Sequence, residues 1–176
     1  MMSIQATLEH YGIRSIWHFT DMSNIQSIEN NGLLSLRNLI CNKIDVACYG
    51  ANELSHNLDI SKGFDQFVHL SLIKEHPMQY VKTKNQEIPN PVWLEIDAKV
   101  LFKKKSIFSD TIANKTGAKI YTDINDLARF IDLDVLWSRT DWRDPQIQQR
   151  RKQAKYGEIM IKDQIAIKDI IGVYRG

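Results

Sequence analysis

The chain is poor in the residues that would build a disulfide-stapled, zinc-bound or membrane-spanning protein. It has two cysteines in 176 residues, Cys41 and Cys48. They have no second pair nearby, and their spacing suits neither a disulfide framework nor a tetrahedral metal site. Free thiols in a reducing cytoplasm are the simpler reading. No apolar run approaches the roughly 20 residues that a bilayer-spanning helix needs, so no membrane partner is expected. The opening MMSIQATLEHYGIRS lacks the basic and then apolar segments of a secretory leader. Glycine-rich phosphate loops are missing, which removes a Rossmann site and a P-loop from consideration. There is no G-x-S-x-G elbow either, so His69 and Ser71, two apart on one strand face, make a poor hydrolase pair. His10, His18, His56, His69 and His76 show no metal-ligand spacing, and no metal is expected. An excess of one charge is also lacking, since the net charge is +2.

What remains is an ordinary globular composition, 43% apolar and 25% charged. No repeat, linker or low-complexity tract interrupts it, so one domain is expected over residues 1–176. Ser15 to Phe19 reads as a short strand. Ser23 and Gln26 form a capping-box pattern before a helix carrying Ile25 and Ile28, and Gly32 stands where a helix C-terminal glycine belongs. Asn38 to Gly63 is irregular and rich in asparagine, and reads as a loop with some helix. FVHLSL (Phe67 to Leu72) and VWLEID (Val92 to Asp97) alternate as strands, with Pro77, Pro89 and Pro91 between them. Asp123 opens a helix carrying Ile124, Leu127, Ala128 and Ile131. Asp144-Pro145 starts a polar, basic helix that stops near Gly157. Gly157 to Ile161 and Ile170 to Tyr174 close the chain as strands. Short strands broken by helices without βαβ alternation predict an α+β fold.

Few residues point to chemistry on local grounds. Basic side chains cluster at Lys103-Lys104-Lys105, at Arg150, Arg151, Lys152 and Lys155, and at Lys82 and Lys84. Such runs are usually solvated faces, although they can also neutralise phosphates. Glu158, in KYGEIMIK, begins a strand directly after the basic helix. A basic face beside a carboxylate can hold an anionic substrate, and the carboxylate can stabilise a cationic sugar transition state. Tyr49, Phe64 and Tyr80 lie in or near loops, where they could stack bases or equally serve the core.

The order of these segments is more informative than any one of them. WHFTDMSNIQSIENNGLLS (17–35) resembles the first motif of the DarT family, toxins that ADP-ribosylate single-stranded DNA. There a His-hydrophobic-Thr strand runs into a helix ending in Gly-Leu-Leu. FDQFVHLSLIKEHPM (64–78) resembles the second motif, which precedes a Pro-Met pair. WLEIDAKVLFKKKSIFSDTIANK (93–115) resembles the third. RRKQAKYGEIMIKDQIAIKDIIGVY (150–174) is similar to the family's arginine-rich helix, catalytic-glutamate strand and closing strand.

The resemblance implies an ADP-ribosyltransferase-like α+β fold, a mixed or antiparallel split sheet with flanking helices. It implies NAD as ADP-ribose donor, no metal, single-stranded DNA or RNA as partner, and an antitoxin of ADP-ribosyl hydrolase type. His18, with Thr20 and Asn24 beside it, falls where the family contacts NAD. Gly32, Leu33 and Leu34 would line the same pocket, as would His69 and Ser71. Glu158 falls on the catalytic glutamate. Arg150, Arg151, Lys152 and Lys155 fall on the DNA-contacting helix, with Met78 on the nucleic-acid side as well. The chain departs from the family at Glu53 to Asp59, where a helper arginine is expected and none stands. His56 or Arg37 would have to replace it. The FVHLSL form is closer to the guanine-modifying branch of that family than to the thymine-modifying one. The acceptor left open is DNA, RNA or protein, and a catalytically silent nucleic-acid-binding module of the same fold is the other reading.

Overall fold

In the strand after Gly157, side chains alternate between two environments. Ile159 and Ile161 enter the large core, while Glu158 and Met160 point to the other face. A computed structural model of the protein describes residues 2–49 and 53–176, without the side chains of residues 53, 54, 77 and 78. The expected contact Met78 therefore lies outside the described side chains, and Asn52 outside the described residues.

Every strand pairing among the described residues is antiparallel. The main sheet has seven strands. In spatial order they are β6 (Ile120–Tyr121), β5 (Ser106–Ser109), β7 (Glu158–Lys162), β3 (Phe67–Ser71), β1 (Ser15–Asp21), β4 (Pro91–Asp97) and β9 (Ile170–Arg175). A second pair, β2 (Leu33–Leu34) with β8 (Gln164–Ile165), lies apart. The helices are α1 (Ile4–Tyr11), α2 (Ile25–Asn31), α3 (Leu36–Cys41), α4 (Glu53–Lys62), α5 (Pro77–Lys84), α6 (Val100–Lys103), α7 (Leu127–Phe130), α8 (Asp134–Trp137) and α9 (Pro145–Ala154). This is the expected α+β class.

The main sheet is split at its middle. β1 pairs with β4 at seven positions, from Ser15↔Asp97 to Asp21↔Pro91, and β3 pairs with β7 at five. Between β1 and β3 only Trp17↔Ser71 is in register. The seam opens where backbone groups of the two strands no longer meet. Ile16, Leu70, Leu94, Ile96, Phe108, Ile159 and Ile161 form one face of the core, covered by Ile4 and Leu8 of α1, Ile28 of α2, and Leu127, Leu133 and Val135. Fully burying one such side chain contributes roughly 2 kcal/mol, enough in sum to fix the strand register. Phe67, Ile107, Ala113 and Met160 form a smaller cluster on the opposite face, beneath Glu158.

Several local expectations change in detail. α2 begins at Ile25, preceded by a 3₁₀ turn whose cap is Asp21, its carboxylate accepting from the Ser23 N–H at 2.9 Å. The Ser23–Gln26 capping box does not form because Asp21, two residues earlier, already holds that turn. The stretch expected to be mostly loop from Asn38 to Gly63 contains α4 and the end of α3, which bury little: α3 has no fully buried residue, and Ile40, Leu58 and Ile60 are exposed. The helix expected from Asp123 is a 3₁₀ turn followed by one short turn, α7. Asp144 caps α9 as its sequence predicts, accepting from the Gln146 N–H at 2.7 Å. Lys82, grouped with the surface cations, is 2% exposed and paired with Glu87.

Candidate active site

The split opens onto a cavity of about 580 Å³, a size typical of small-molecule sites. β1 contributes His18 and Thr20 to its wall, β3 contributes His69 and Ser71, and β7 contributes Glu158. Asn24, Gly32, Leu33 and Leu34 form a second wall. α4 closes a third side with Ser55, His56, Leu58 and Asp59. Every residue placed on the NAD side by the sequence is thus on this cavity.

Glu158 is 8% exposed and fixed from three directions. Its Oε2 lies 3.3 Å from His69 Nδ1 and accepts the Ala113 N–H at 3.0 Å. Its Oε1 lies 3.7 Å from His76 Nε2. Burial favours the protonated carboxyl. His69's hydrogen bond and charge, the Ala113 N–H and His76 outweigh burial and hold Glu158 below the usual carboxylate value. His69 responds in the opposite sense. Burial disfavours its charged form, but the Glu158 carboxylate, the charge of Asp59 and the Phe64 carbonyl raise its pKa. Its Nε2 faces that carbonyl at 3.4 Å, so both ring nitrogens meet acceptors, as an imidazolium requires.

His18 is in the contrary state. Burial pushes its pKa down to about 4, leaving the ring neutral at pH 7. Nδ1 lies 2.9 Å from the His69 carbonyl oxygen, which can only accept, so the proton sits on Nδ1. Nε2 is left as an acceptor. Neighbouring strands thus present a neutral acceptor on β1 and, on β3, a ring whose charged form is favoured by its neighbours.

Asn24 is buried and occupied. Its amide donates to Thr20 Oγ1 at 3.0 Å and to the Cys48 carbonyl, and its Oδ1 accepts the Cys48 N–H at 3.2 Å. It therefore clips the 44–49 segment to the cavity wall. Gly32 ends α2 at φ 78° and ψ 178°, a region essentially closed to other residues. A Cβ there would meet the Ile165 carbonyl oxygen at 2.7 Å. Leu33 and Leu34 can pair with β8 only because that approach is free.

The two stand-ins for the helper arginine separate. His56 is on the cavity, its ring 4.9 Å from that of Tyr49, and burial lowers its pKa. Arg37 is not on the cavity; it forms a two-pronged ion pair with Asp65, both contacts at 2.9 Å. That half-exposed pair holds Arg37 beside the cavity through Asp65, which lines it, so His56 is the nearer of the two stand-ins. His69 bonds Glu158 and faces Phe64 rather than Ser71, so the hydrolase pair does not form either.

Most of the basic helix is engaged with carboxylates. Arg150 grips Asp132 at 2.7 and 3.1 Å, while Arg151 and Lys155 reach Glu75 at 3.5 and 2.7 Å. Among the described residues Lys152 alone of the four has no ion-pair partner. Exposed pairs of this kind contribute 0 to about 1 kcal/mol, so phosphates can displace them. Arg150 and Lys152 also border a second cleft of about 560 Å³ with Lys115 and Tyr156.

Sequence reasoning missed His76, Ala113 and Asn114. His76 lies five residues after Ser71 in the same block as His69, which was a usable signal. Ala113 acts through its backbone N–H, which no side-chain pattern reports. Tyr49 and Phe64 line the cavity, whereas Tyr80 is exposed away from it. Among the described residues no group of three histidine, cysteine or carboxylate side chains is arranged to hold a metal, and no helix is long and apolar enough to cross a membrane.

The same fold is found among solved structures. A Thermus sp. 2.9 DarT in complex with ADP-ribosylated ssDNA superposes with a TM-score of 0.70 at 16% identity, covering 92% of this chain and 81% of that one. The same protein in complex with NAD+ gives 0.64 at 15% identity, with the same coverage of both chains. Thermosipho africanus DarTG in complex with ADP-ribose gives 0.65 at 14% identity, over 93% of this chain and 44% of that longer one. No curated protein sequence matches. Residues 17–175 match the family described as DarT, ssDNA thymidine ADP-ribosyltransferase. The chain therefore belongs to the DarT family and is by class an NAD-dependent ADP-ribosyltransferase.

Proposed function

We propose that this chain moves ADP-ribose from NAD to a base of single-stranded DNA, as the toxin of a toxin–antitoxin pair whose antitoxin is an ADP-ribosyl hydrolase. The observation that carries the reading is one cavity lined both by His18, whose Nε2 is free to accept, and by Glu158, held by His69, Ala113 and His76. His18 Nε2 would accept from a ribose hydroxyl, while Leu33, Leu34 and Gly32 leave an apolar slot for a planar ring. Glu158 Oε1 would accept from the nicotinamide ribose and oppose the positive charge that grows there as the C1′–nicotinamide bond breaks. NAD supplies the activated bond and the neutral leaving group. His69 keeps Glu158 ionised and aimed. The α9 cations would seat the phosphodiester backbone by exchanging Asp132 and Glu75 for phosphates.

The test is incubation of the protein with labelled NAD and, in parallel, single-stranded DNA, RNA and lysate. Transfer to DNA with loss of activity in Glu158→Gln is expected, and mass analysis of the product reads the base, thymine or guanine. No transfer to any acceptor would sink the reading. Salt-sensitive oligonucleotide binding indifferent to NAD and to Glu158→Gln would instead mean a silent binding module.

A further inference from the structure

A carboxylate other than Glu158 lines the cavity from α4. Asp59 stands on α4, on the same face as Ser55, His56 and Leu58, residues three or four positions apart. Its Oδ1 accepts from Asn114 Nδ2 at 3.2 Å, and its Oδ2 has no partner among the described residues. Asn114 directly follows Ala113, whose N–H holds Glu158 Oε2 at 3.0 Å. Consecutive residues of one loop therefore restrain two carboxylates, one reached through the backbone and one through a side-chain amide. Lys62 Nζ donates to the Asn114 carbonyl at 2.9 Å and pins the end of α4 to the same residue. The distance between α4 and β7 is thus set by a clamp two residues long.

We propose that Asp59 is the second catalytic carboxylate of this site, the group that takes the proton from the attacking base nitrogen. The proposal rests on the reading of Glu158 as the donor-side carboxylate. A base nitrogen bearing hydrogen bonds to C1′, the C1′–nicotinamide bond breaks with its electron pair on nicotinamide, and the proton passes to Asp59 Oδ2. This assigns a role to the α4 segment that lacks the family's arginine. A cation there would stabilise the deprotonated base, whereas a carboxylate removes the proton outright.

The groups facing Asp59 fit that task. They are His56 on α4, His69 on β3 and Glu158 on β7, with Lys62 and Lys115 beside Asn114. Burial raises its proton affinity, the charge of His69 and the Asn114 bond lower it, Glu158 raises it and His56 lowers it. The balance lies above the ordinary carboxylate value, as suits a base at neutral pH.

The experiment measures transfer to a single-stranded oligonucleotide across pH for wild type, Glu158→Gln, Asp59→Asn and Asn114→Ala, with NAD affinity and thermal unfolding alongside. Asp59→Asn should lower kcat by about 10² to 10³ with KM for NAD little changed, and should remove the acid limb of the rate profile. Asn114→Ala takes away a bond that favours the charged form, so it should move that limb to higher pH. Transfer by Asp59→Asn within about threefold of wild type, or an acid limb indifferent to both substitutions, overturns the proposal. Either result leaves the reading of Glu158 standing so long as wild type transfers and Glu158→Gln does not. Failure of wild type to transfer would fall on that reading instead.

Discussion

His69 Nδ1 lies 3.3 Å from Glu158 Oε2, diagonally across the β3–β7 pairing in which Ser71 opposes Glu158 and His69 opposes Met160. One sheet face therefore carries the acid and its hydrogen-bond partner two residues out of register. Glu158 is buried and His69 half-buried, so each favours the charged form of the other.

Replacing His69 with alanine removes that partner and should cost about 3 kcal/mol in urea unfolding. Glu158 has a lowered pKa, so its stabilisation is present above the ordinary value of 4.5 and is lost as pH falls below it. His69 has a raised pKa, so its stabilisation is present below 6.5 and is lost as pH rises above it. The stability difference between wild type and His69→Ala should therefore be largest between pH 4.5 and 6.5. A difference that does not vary with pH would show that the two groups are uncoupled.

His18 makes a separate contribution with one sign only. Its folded pKa of about 4 lies below the ordinary 6.5, so stability from the neutral ring is intact above 6.5 and is lost as pH falls towards 4. Full protonation should cost about 3 kcal/mol relative to His18→Gln, which cannot titrate there. Unfolding curves of the two proteins at pH 7 and pH 4 would measure it; parallel behaviour of both would contradict a buried neutral His18.

Gly32→Ala should destabilise the protein by about 2 kcal/mol from backbone conformation alone, before the clash with the Ile165 carbonyl oxygen at 2.7 Å is added. The β2–β8 pair would separate and the second wall of the cavity with it. Thermal unfolding reads the first effect and weakened NAD binding the second. A stable variant with normal NAD affinity would mean that the cavity wall tolerates the shift.

Lys152→Ala should weaken oligonucleotide binding and reduce the dependence on log salt by about one unit, since it gives up one phosphate contact. Arg150→Ala should have a smaller effect, because Arg150 must first leave Asp132. Titrations at several salt concentrations rank the two, and an unchanged slope for Lys152→Ala would place the nucleic acid elsewhere.

How much was legible beforehand differs by residue. Period-two alternation and the Asp144-Pro145 start placed β3, β4, β7 and α9 closely, because burial and capping act over a few neighbouring residues. α3 and α4 were mostly missed, since their stability comes from packing beside the cavity rather than from helix propensity. Met160 and Ile159 look alike in sequence, yet one supports Glu158 and the other fills the main core.

By itself the sequence determined the α+β class, the order of the motifs and the membership of His18, Thr20, Gly32, His69 and Glu158 in one family pattern. The class follows from side-chain periodicity and turn chemistry in short segments, whereas the motif order and the placement of those residues follow from the resemblance to the DarT family. Only the tertiary structure decided that β1 and β3 part after a single register position, that the pKa of His18 falls while that of His69 rises, and that Arg37 pairs with Asp65. It also decided that Ala113 and Asn114 hold Glu158 and Asp59 from consecutive positions. Those outcomes depend on contacts between residues 28 to 89 positions apart, and on the balance of burial against neighbouring charges and hydrogen bonds. Neither quantity exists until the chain has folded.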